Sequence, residues 1–319
     1  MIRITFLGTA ASRPTVGRNV SGIAIQREGD LFLFDCGEGT QRQMMRFATG
    51  FGVHSIFVTH FHADHFLGII GLVRTMALQG REEPLYLYGP RGAEQILRDA
   101  TLLGVNRIRF PVKIREMEAE RTVVMKGYEV VAFPVRHGTP AVGYALVEEE
   151  RLGRFDVERA RALGVPEGPL FGRLHRGEAV EVDGRTVQPE EVVGEPRPGR
   201  KVVYTGDTTP GPETLEMARG ADLLIHEATF LEEEADRAKE TFHSTARSVG
   251  RLAREAEVGR LILTHVSARY SENPAPLVEE ARSEFPETVA ARDGMVLELG
   301  YTSHEERKMT REETEVDVG

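Results

Sequence analysis

The sequence predicts an α/β fold in which two packed sheets carry helices on their outer faces. Apolar strand-like runs alternate with helical segments at the start of the chain and again after residue 200, a pattern typical of layered α/β folds. The middle of the chain differs, because it contains strand-like runs with little helix between them. These runs are Val112–Ile114, Thr122–Met125, Tyr128–Pro134 and Val142–Val147. Alternating and strand-rich sections in one chain therefore indicate two sheets.

The amino-terminal section begins with a predicted strand, Ile2–Leu7, followed by a loop that contains glycine and proline. The next two strands, Ser21–Gln26 and Leu31–Cys36, form a predicted hairpin because Glu28-Gly29-Asp30 has turn composition. The predicted elements that follow are helix Gln41–Ala48, strand Ile56–Val58, helix Phe66–Leu78, strand Leu85–Tyr88 and a helix that ends at Leu103.

The carboxy-terminal section resumes the alternation of strands and helices. Its predicted strands are Lys201–Thr205, Asp222–Ile225, Arg260–Thr264 and Met295–Leu299, and its predicted helices are Gly211–Ala218, Ser244–Glu255 and Pro276–Phe285. Residues 301–319 are charged and nearly free of apolar side chains, which predicts a disordered tail.

The segment 151–199 differs in composition from both sections. It is rich in glycine, proline and charge, and its first part is mainly basic whereas its second part is acidic. Composition alone favours an ordinary solvated insertion, and a protruding basic arm is the functional alternative. We therefore expect one domain over residues 1–300, with 151–199 inserted in it.

The overall composition limits the possible functions. The formal net charge of -10 excludes a generally basic nucleic-acid binder, so any contact with RNA would need a local basic patch or metal ions. Cys36 is the only cysteine, which excludes an intrachain disulfide and fits a reducing cytoplasm. The amino terminus lacks the apolar core of a signal peptide, and no run approaches the roughly 18 apolar residues that span a bilayer. We expect a cytoplasmic protein that does not bind membranes.

A group of ligand-type side chains follows the predicted strand Ile56–Val58. Three histidines and an aspartate fall within six positions, in a chain with 10 histidines: His60, His62, Asp64 and His65. His60 and His62 point the same way on an extended backbone, because side chains alternate along a strand. A lone histidine at a strand end is usually structural. Imidazoles and a carboxylate at this spacing instead indicate a site for zinc or a similar divalent ion.

Three further apolar strands are each followed by a ligand-type side chain, namely His137, Asp207 and His265. Layered α/β folds place their chemistry at such strand ends. Each residue alone is equally compatible with a structural role, but together with the first motif they give seven candidate ligands. Asp207 is suited to bridge two ions because a carboxylate has two oxygens. Two ions roughly 3.5–4 Å apart are the usual device for phosphoester hydrolysis by an activated water.

Hydrolysis also requires a proton for the leaving oxygen. His243 is the candidate acid and Glu227 is the candidate residue that orients it. Structural alternatives exist for their neighbours. Ser244 is a candidate helix N-cap, and His226 is a candidate buried, hydrogen-bonded histidine.

These motifs resemble those of the metallo-β-lactamase superfamily and occur in the same order along the chain. In detail the sequence is similar to the short-form ribonuclease Z family of tRNA 3′-processing endonucleases. The segments that carry this similarity are Phe6-Leu7-Gly8-Thr9, the loop Pro14–Asn19, His226-Glu227-Ala228-Thr229 and His243-Ser244-Thr245. The loop resembles the family's P-x-K-x-R-N motif, although Val16 stands where the family usually carries lysine. The insertion before Asp207 sits where the family has a flexible arm that grips tRNA.

The resemblance implies a four-layer αβ/βα sandwich with a protruding flexible arm, a homodimer, and two Zn²⁺ per subunit, with Mn²⁺ or another divalent ion as the alternative. The implied ligands of one zinc are His60, His62 and His137, and those of the other are Asp64, His65 and His265, with Asp207 between them. Asp64 would accept the proton of the attacking water, and His243 with Glu227 would serve the leaving 3′ oxygen. The implied RNA contacts are Arg18, Asn19, Gly168, Pro169 and Arg173.

The implied function is removal of the 3′ trailer from precursor tRNA, which leaves a 3′-hydroxyl on the tRNA and a 5′-phosphate on the trailer. One alternative is another hydrolase of the same superfamily, acting on a small phosphodiester or an aryl sulfate, because fold and metals do not determine the substrate. A non-catalytic metal- or RNA-binding protein is the second alternative. The presence of every candidate ligand and of the water-activating carboxylate argues against it.

Overall fold

The computed structural model describes residues 1–104, 108–118 and 120–301. The chain forms two compact units, one of residues 1–123, 130–146 and 201 onward, and a second of residues 124–129 and 147–200. Apart from Tyr301, the predicted tail 301–319 lies outside the described residues. Within the described ranges, no helix is both long enough and apolar enough to cross a bilayer.

The strands are β1 Ile2–Gly8, β2 Gly22–Arg27, β3 Asp30–Cys36, β4 Ser55–Phe57, β5 Leu85–Gly89, β6 Val112–Glu116, β7 Thr122–Met125, β8 Tyr128–Pro134, β9 Val142–Glu148, β10 Val180–Val182, β11 Arg185–Val187, β12 Lys201–Tyr204, β13 Leu223–Glu227, β14 Leu261–Thr264, β15 Thr288–Ala290 and β16 Val296–Leu299. The helices are α1 Thr40–Arg46, α2 Ala63–Phe66, α3 Gly68–Leu78, α4 Ala93–Leu102, α5 Val157–Ala162, α6 Pro169–His175, α7 Pro212–Ala218, α8 Ala235–Glu240, α9 Ala246–Glu255 and α10 Ala275–Arg282.

Two seven-stranded sheets form the framework. The first has the order β16-β1-β2-β3-β4-β5-β6, and the second has the order β15-β14-β13-β12-β9-β8-β7. Strands β3 to β6 are parallel in the first sheet, and strands β12 to β15 are parallel in the second. The predicted αβ/βα sandwich is therefore confirmed. Parallel strands direct their carboxyl ends to one edge of each sheet, where the candidate ligands follow.

Two apolar layers hold the sandwich together. On the outer face of the first sheet, Leu33 and Ile56 belong to one buried core with Leu72 of α3 and Leu97 of α4. Between the sheets, the ring of Phe34 in β3 stacks on the rings of Tyr144 and Tyr204 from the second sheet, each with a centroid distance of 5.7 Å. Burial on both faces explains why these strands are continuous apolar runs.

The segment predicted as an insertion has regular structure and an apolar core of its own. Strands β10 and β11 form a hairpin, and α5 and α6 contribute to a buried group that includes Ala160, Leu174 and Val187, against which Phe155 and Phe171 pack. Composition did not reveal this core, because its apolar residues are few and are dispersed among glycines, prolines and charges.

Candidate metal centre

The histidine motif occupies the turn between β4 and α2. His62 is extended and α2 begins at Ala63, three residues before the predicted helix start, so Asp64 and His65 lie in a helical first turn. This turn approaches the backbone after β3 closely. A Cβ atom on Gly37 would lie 2.1 Å from the carbonyl oxygen of Asp64, so only glycine permits the approach.

The other three candidate ligands follow β8, β12 and β14, as predicted, and all seven side chains come together. Gly206 makes the placement of Asp207 possible, because it adopts φ +60° and a Cβ there would meet Thr59 at 2.7 Å. Ligand-type atoms converge within 4.8 Å in two groups: His60, His62, His137 and Asp207, and Asp64, His65 and His265. A third group contains Asp207, His243 and His265.

Asp207 lies between the two main groups. Its Oδ2 atom is 3.7 Å from His60 Nε2, 3.5 Å from His65 Nε2 and 3.2 Å from His265 Nε2. The carboxylate is almost fully buried. This central position is the one that the sequence predicted for a bridging group.

The inward orientation of four imidazoles is set by oxygen partners on their outward nitrogens. The four pairs are His60 Nδ1 with Thr59 Oγ1 at 3.1 Å, His65 Nδ1 with Asp35 Oδ2 at 2.8 Å, His137 Nδ1 with the Phe242 carbonyl at 3.2 Å, and His265 Nδ1 with Thr229 Oγ1 at 3.0 Å. Such partners fix the ring orientation of metal-ligating histidines and leave the inner nitrogen to bind the ion.

Two inward atoms fit a cation directly. His65 Nε2 and Asp207 Oδ1 are buried and have no hydrogen-bond partner among the described residues. Buried polar atoms are seldom left without a partner in proteins, because desolvation without compensation is costly. A divalent ion coordinated by these atoms would supply the missing interaction, so the residues present fit a metal.

The charges of the centre also favour a cation. Burial raises the pKa of Asp207, but the charges of His265 and His65 outweigh it and hold the pKa well below its usual range. Burial lowers the pKa of His65, but the carboxylates of Asp207 and Asp35 outweigh it and raise the pKa well above its ordinary value. A site whose carboxylates stabilise a charged imidazole to this extent would also stabilise a metal ion.

Asp35 is a further candidate residue of the site that sequence analysis missed. Its buried carboxylate accepts hydrogen bonds from Thr59 N at 2.7 Å, Thr59 Oγ1 at 2.9 Å and Tyr204 Oη at 2.7 Å, besides the contact with His65. Its φ is +56°, in the left-handed region that is unfavourable for an aspartate in a strand. An acidic residue inside the run Leu31–Cys36 was the available signal, since a buried carboxylate requires partners.

We expect Asp35→Ala to lower divalent-metal affinity about 10- to 100-fold, because His65 would lose the partner that orients it. Competition with a chromogenic chelator would measure the affinity, and circular dichroism would verify the fold. Asp99→Ala, at an exposed helix position where the carboxylate accepts only from Gln95 in the described contacts, is the matched control. Native affinity in Asp35→Ala would contradict the assigned role.

The candidate acid His243 is held by Glu227. Glu227 Oε1 accepts from His243 Nδ1 at 2.8 Å and from Ser244 N at 3.0 Å, and Oε2 accepts from Thr229 Oγ1 at 2.8 Å. Burial lowers the pKa of His243, but the charge of Glu227 outweighs it and raises the pKa to about 9. His243 is therefore oriented by Glu227 as the sequence predicted.

Structural roles were also predicted for two neighbouring residues, a helix N-cap for Ser244 and a buried, hydrogen-bonded ring for His226. Thr245, not Ser244, caps α9, since its side chain accepts from Ser248 N, so the cap prediction for Ser244 is wrong. Ser244 Oγ instead donates to the Thr208 carbonyl at 2.5 Å. His226 is fully buried, and its Nδ1 atom lies 2.8 Å from the Glu227 carbonyl oxygen. The prediction of a buried, hydrogen-bonded histidine is confirmed.

The loop Pro14–Asn19 is held in place by hydrogen bonds from the Arg18 side chain and from the Asn19 backbone. The buried Arg18 guanidinium donates to Thr9 Oγ1 and to the Ala291 carbonyl at 2.7 Å each, and Asn19 N donates to Asp293 Oδ2 at 2.6 Å. Val16 is fully exposed. Arg18 thus holds the loop in place, and RNA contact by Arg18 and Asn19 stays a prediction.

In the second unit, Gly168 adopts φ +130° directly before Pro169, the first residue of α6. Arg173 on α6 forms an exposed ion pair with Glu178 at 3.0 Å. Contacts of Gly168, Pro169 and Arg173 with RNA likewise stay predictions.

Residues 31–162 and 184–266 match the beta-lactamase superfamily domain. The chain is 54% identical to a Ribonuclease Z of Myxococcus xanthus, over 94% of this chain and 98% of that protein. It is 56% identical to a Ribonuclease Z of Gemmatimonas aurantiaca, over 94% of this chain and 96% of that protein. The crystal structure of human tRNase Z, short form, superimposes with a TM-score of 0.68 at 28% identity and covers 94% of this chain and 100% of that one.

The fold, the His/Asp centre and the domain match define a metal-dependent hydrolase of the metallo-β-lactamase superfamily. Within that superfamily, the chain belongs to the ribonuclease Z family. The family predicted from the motifs is confirmed.

Proposed function

We propose that the protein is a zinc-dependent endoribonuclease that removes the 3′ trailer from precursor tRNA. The observation that carries this proposal is the junction of two ligand groups at Asp207, next to the His243–Glu227 pair. The names of its relatives, Ribonuclease Z and tRNase Z, support tRNA as the substrate. His60, His62 and His137 would hold one ion, and Asp64, His65 and His265 the other, with Asp207 bridging.

Two divalent ions bound there would lower the pKa of a water molecule and offset the negative charge of the phosphate oxygens. Asp64 then accepts the proton of the attacking water. Its Oδ2 atom is held by Ser12 N at 2.8 Å and lies 3.4 Å from His265 Nε2, so the orientation of the carboxylate is fixed from both sides. General bases positioned in this way need no reorganisation when the proton moves.

His243 donates the proton that the leaving 3′ oxygen requires. Because Glu227 holds Nδ1, the other ring nitrogen remains to face the substrate. The ring of His243 lies 5.3 Å from that of His137 and 5.4 Å from that of His265, so the acid stands beside both ligand groups. Water thus attacks phosphorus while the 3′ oxygen leaves, which gives a tRNA 3′-hydroxyl and a trailer 5′-phosphate.

Recognition of tRNA is assigned to regions away from the centre. The chain carries a net charge of -10, so binding depends on local contacts rather than on overall attraction. The second unit, with Gly168, Pro169 and Arg173, would contact the tRNA body, and the loop of Arg18 and Asn19 would contact the RNA end. We also propose that the protein acts as a homodimer and in the cytoplasm.

A 3′-extended precursor tRNA provides the test. We expect cleavage at a single position between the tRNA and its trailer, loss of cleavage in excess chelator, and recovery on addition of Zn²⁺ or Mn²⁺. Metal analysis of the purified protein should give two zinc ions per subunit. Cleavage that persists in excess chelator and in Asp207→Ala would overturn the proposal.

A further inference from the structure

Phe242 is an exposed aromatic residue next to the candidate acid. It is 45% exposed, and its φ of +57° lies in the left-handed region. A bulky residue adopts this conformation at a cost in free energy, and such residues concentrate where their side chains serve a function. The backbone is fixed by two hydrogen bonds, from His137 Nδ1 to the Phe242 carbonyl at 3.2 Å and from Phe242 N to the Lys239 carbonyl at 3.3 Å.

The ring of Phe242 lies against Gly138. A Cβ atom at Gly138 would be 3.5 Å from the Phe242 ring, so this glycine leaves space between the ring and the chain that follows His137. Residues 137–142 form one wall of a groove of about 430 Å³. The rest of the groove is lined by Pro90, Met117 and Pro134, and by the charged residues Arg91 and Glu118.

The groove is continuous with the metal centre because His137 belongs to both. A phosphodiester placed at the centre therefore directs one of its nucleotides toward Phe242 and the groove. His243 protonates the 3′ oxygen, and Phe242 is adjacent to His243. The nucleotide concerned is the one that retains the 3′-hydroxyl after cleavage.

We propose that Phe242 and this groove bind the nucleobase of the nucleotide on the 5′ side of the scissile bond, with the Phe242 ring as a stacking platform. The inference rests on the proposed function and adds the position of one base to it. An aromatic ring and an apolar wall accept any base, since every base has a π face.

The test combines variants of Phe242 with a precursor that is abasic at this nucleotide. We expect Phe242→Ala to lower kcat/KM for precursor cleavage about 5- to 100-fold, and Phe242→Trp to retain the native value. The abasic precursor should lower kcat/KM of the native enzyme by a similar factor. Phe242→Ala should cleave the abasic precursor no more slowly than the native enzyme does, because both changes remove the same contact.

A stability measurement separates this role from a structural one. Glycine adopts φ +57° without strain, so Phe242→Gly should unfold at the native temperature or above it while losing precursor cleavage as Phe242→Ala does. A structural role predicts a lower unfolding temperature. Leu102→Ala, at an exposed position on α4, is the control for loss of an exposed apolar side chain.

Native cleavage rates for Phe242→Ala, or losses that add when the variant meets the abasic precursor, would overturn the inference and leave the proposed function intact. Failure of the native enzyme to cut any precursor tRNA would overturn both.

Discussion

Asp64→Ala should reduce precursor cleavage about 10²- to 10⁴-fold, the range expected when a positioned general base is lost. The carboxylate is nearly buried and its Oδ2 atom contacts three groups, Ser12 N at 2.8 Å, His265 Nε2 at 3.4 Å and His65 Nε2 at 3.5 Å. Burial raises the pKa of Asp64, but the neighbouring imidazoles of His265 and His65 outweigh it and lower the pKa below its ordinary value. The group is therefore ionised at neutral pH, which is the state that a proton acceptor requires.

Single-turnover cleavage of a 3′-extended precursor would measure this loss. Metal analysis of the same sample distinguishes loss of the proton acceptor from loss of an ion, and Asp64→Asn preserves the shape of the side chain while removing its charge. Asp236→Ala, which removes an acidic residue in the first turn of α8, is the matched control. Wild-type cleavage by Asp64→Ala would refute the mechanism.

Removal of Gly153–Glu195 should lower precursor cleavage by at least about 100-fold, because contacts with the tRNA phosphates would be lost. The structure indicates where the two chain ends left by this deletion can be joined. Arg151 and Arg197 exchange two backbone hydrogen bonds, of 2.8 and 2.9 Å, so a short glycine linker can join the chain beside this pair. The buried ion pair of Glu148 with Arg200, at 2.7 Å, is retained.

Activity on a small chromogenic phosphodiester should survive the deletion, since no candidate ligand lies between residues 153 and 195. Two single variants refine the test. Arg173→Ala should weaken precursor binding and reduce its salt dependence, whereas Arg185→Ala, which loses a comparable exposed ion pair with Glu191, should not. Equal losses on both substrates after the deletion would show that this unit has no separate role in RNA binding.

The sequence was most informative where function requires a residue type at a fixed place. All seven candidate ligands follow strands, and the structure brings them together. Six of them follow the parallel strands β4, β12 and β14, whose carboxyl ends lie at one edge of each sheet. The pairing of Glu227 with His243 was also predictable, since each belongs to a motif that resembles the same family.

The partners that a residue finds in distant segments of the chain could not be predicted. Asp35 meets Tyr204 from a strand far along the chain, and Arg18 donates to Ala291 near its end. In the sequence Asp35 appears only as the end of a strand, and Arg18 appears as an exposed loop cation. The core of the second unit was missed for a related reason, because local composition does not reveal how dispersed apolar residues assemble.

The central claim is that a water molecule attacks phosphorus at this centre while the 3′ oxygen leaves. Cleavage of a precursor tRNA in heavy-oxygen water, followed by mass analysis of both products, tests it most directly. We predict a heavy-oxygen label in the 5′-phosphate of the trailer and an unlabelled 3′-hydroxyl on the tRNA. A tRNA that ends in a 3′-phosphate or a 2′,3′-cyclic phosphate, with an unlabelled 5′-hydroxyl on the trailer, would contradict it.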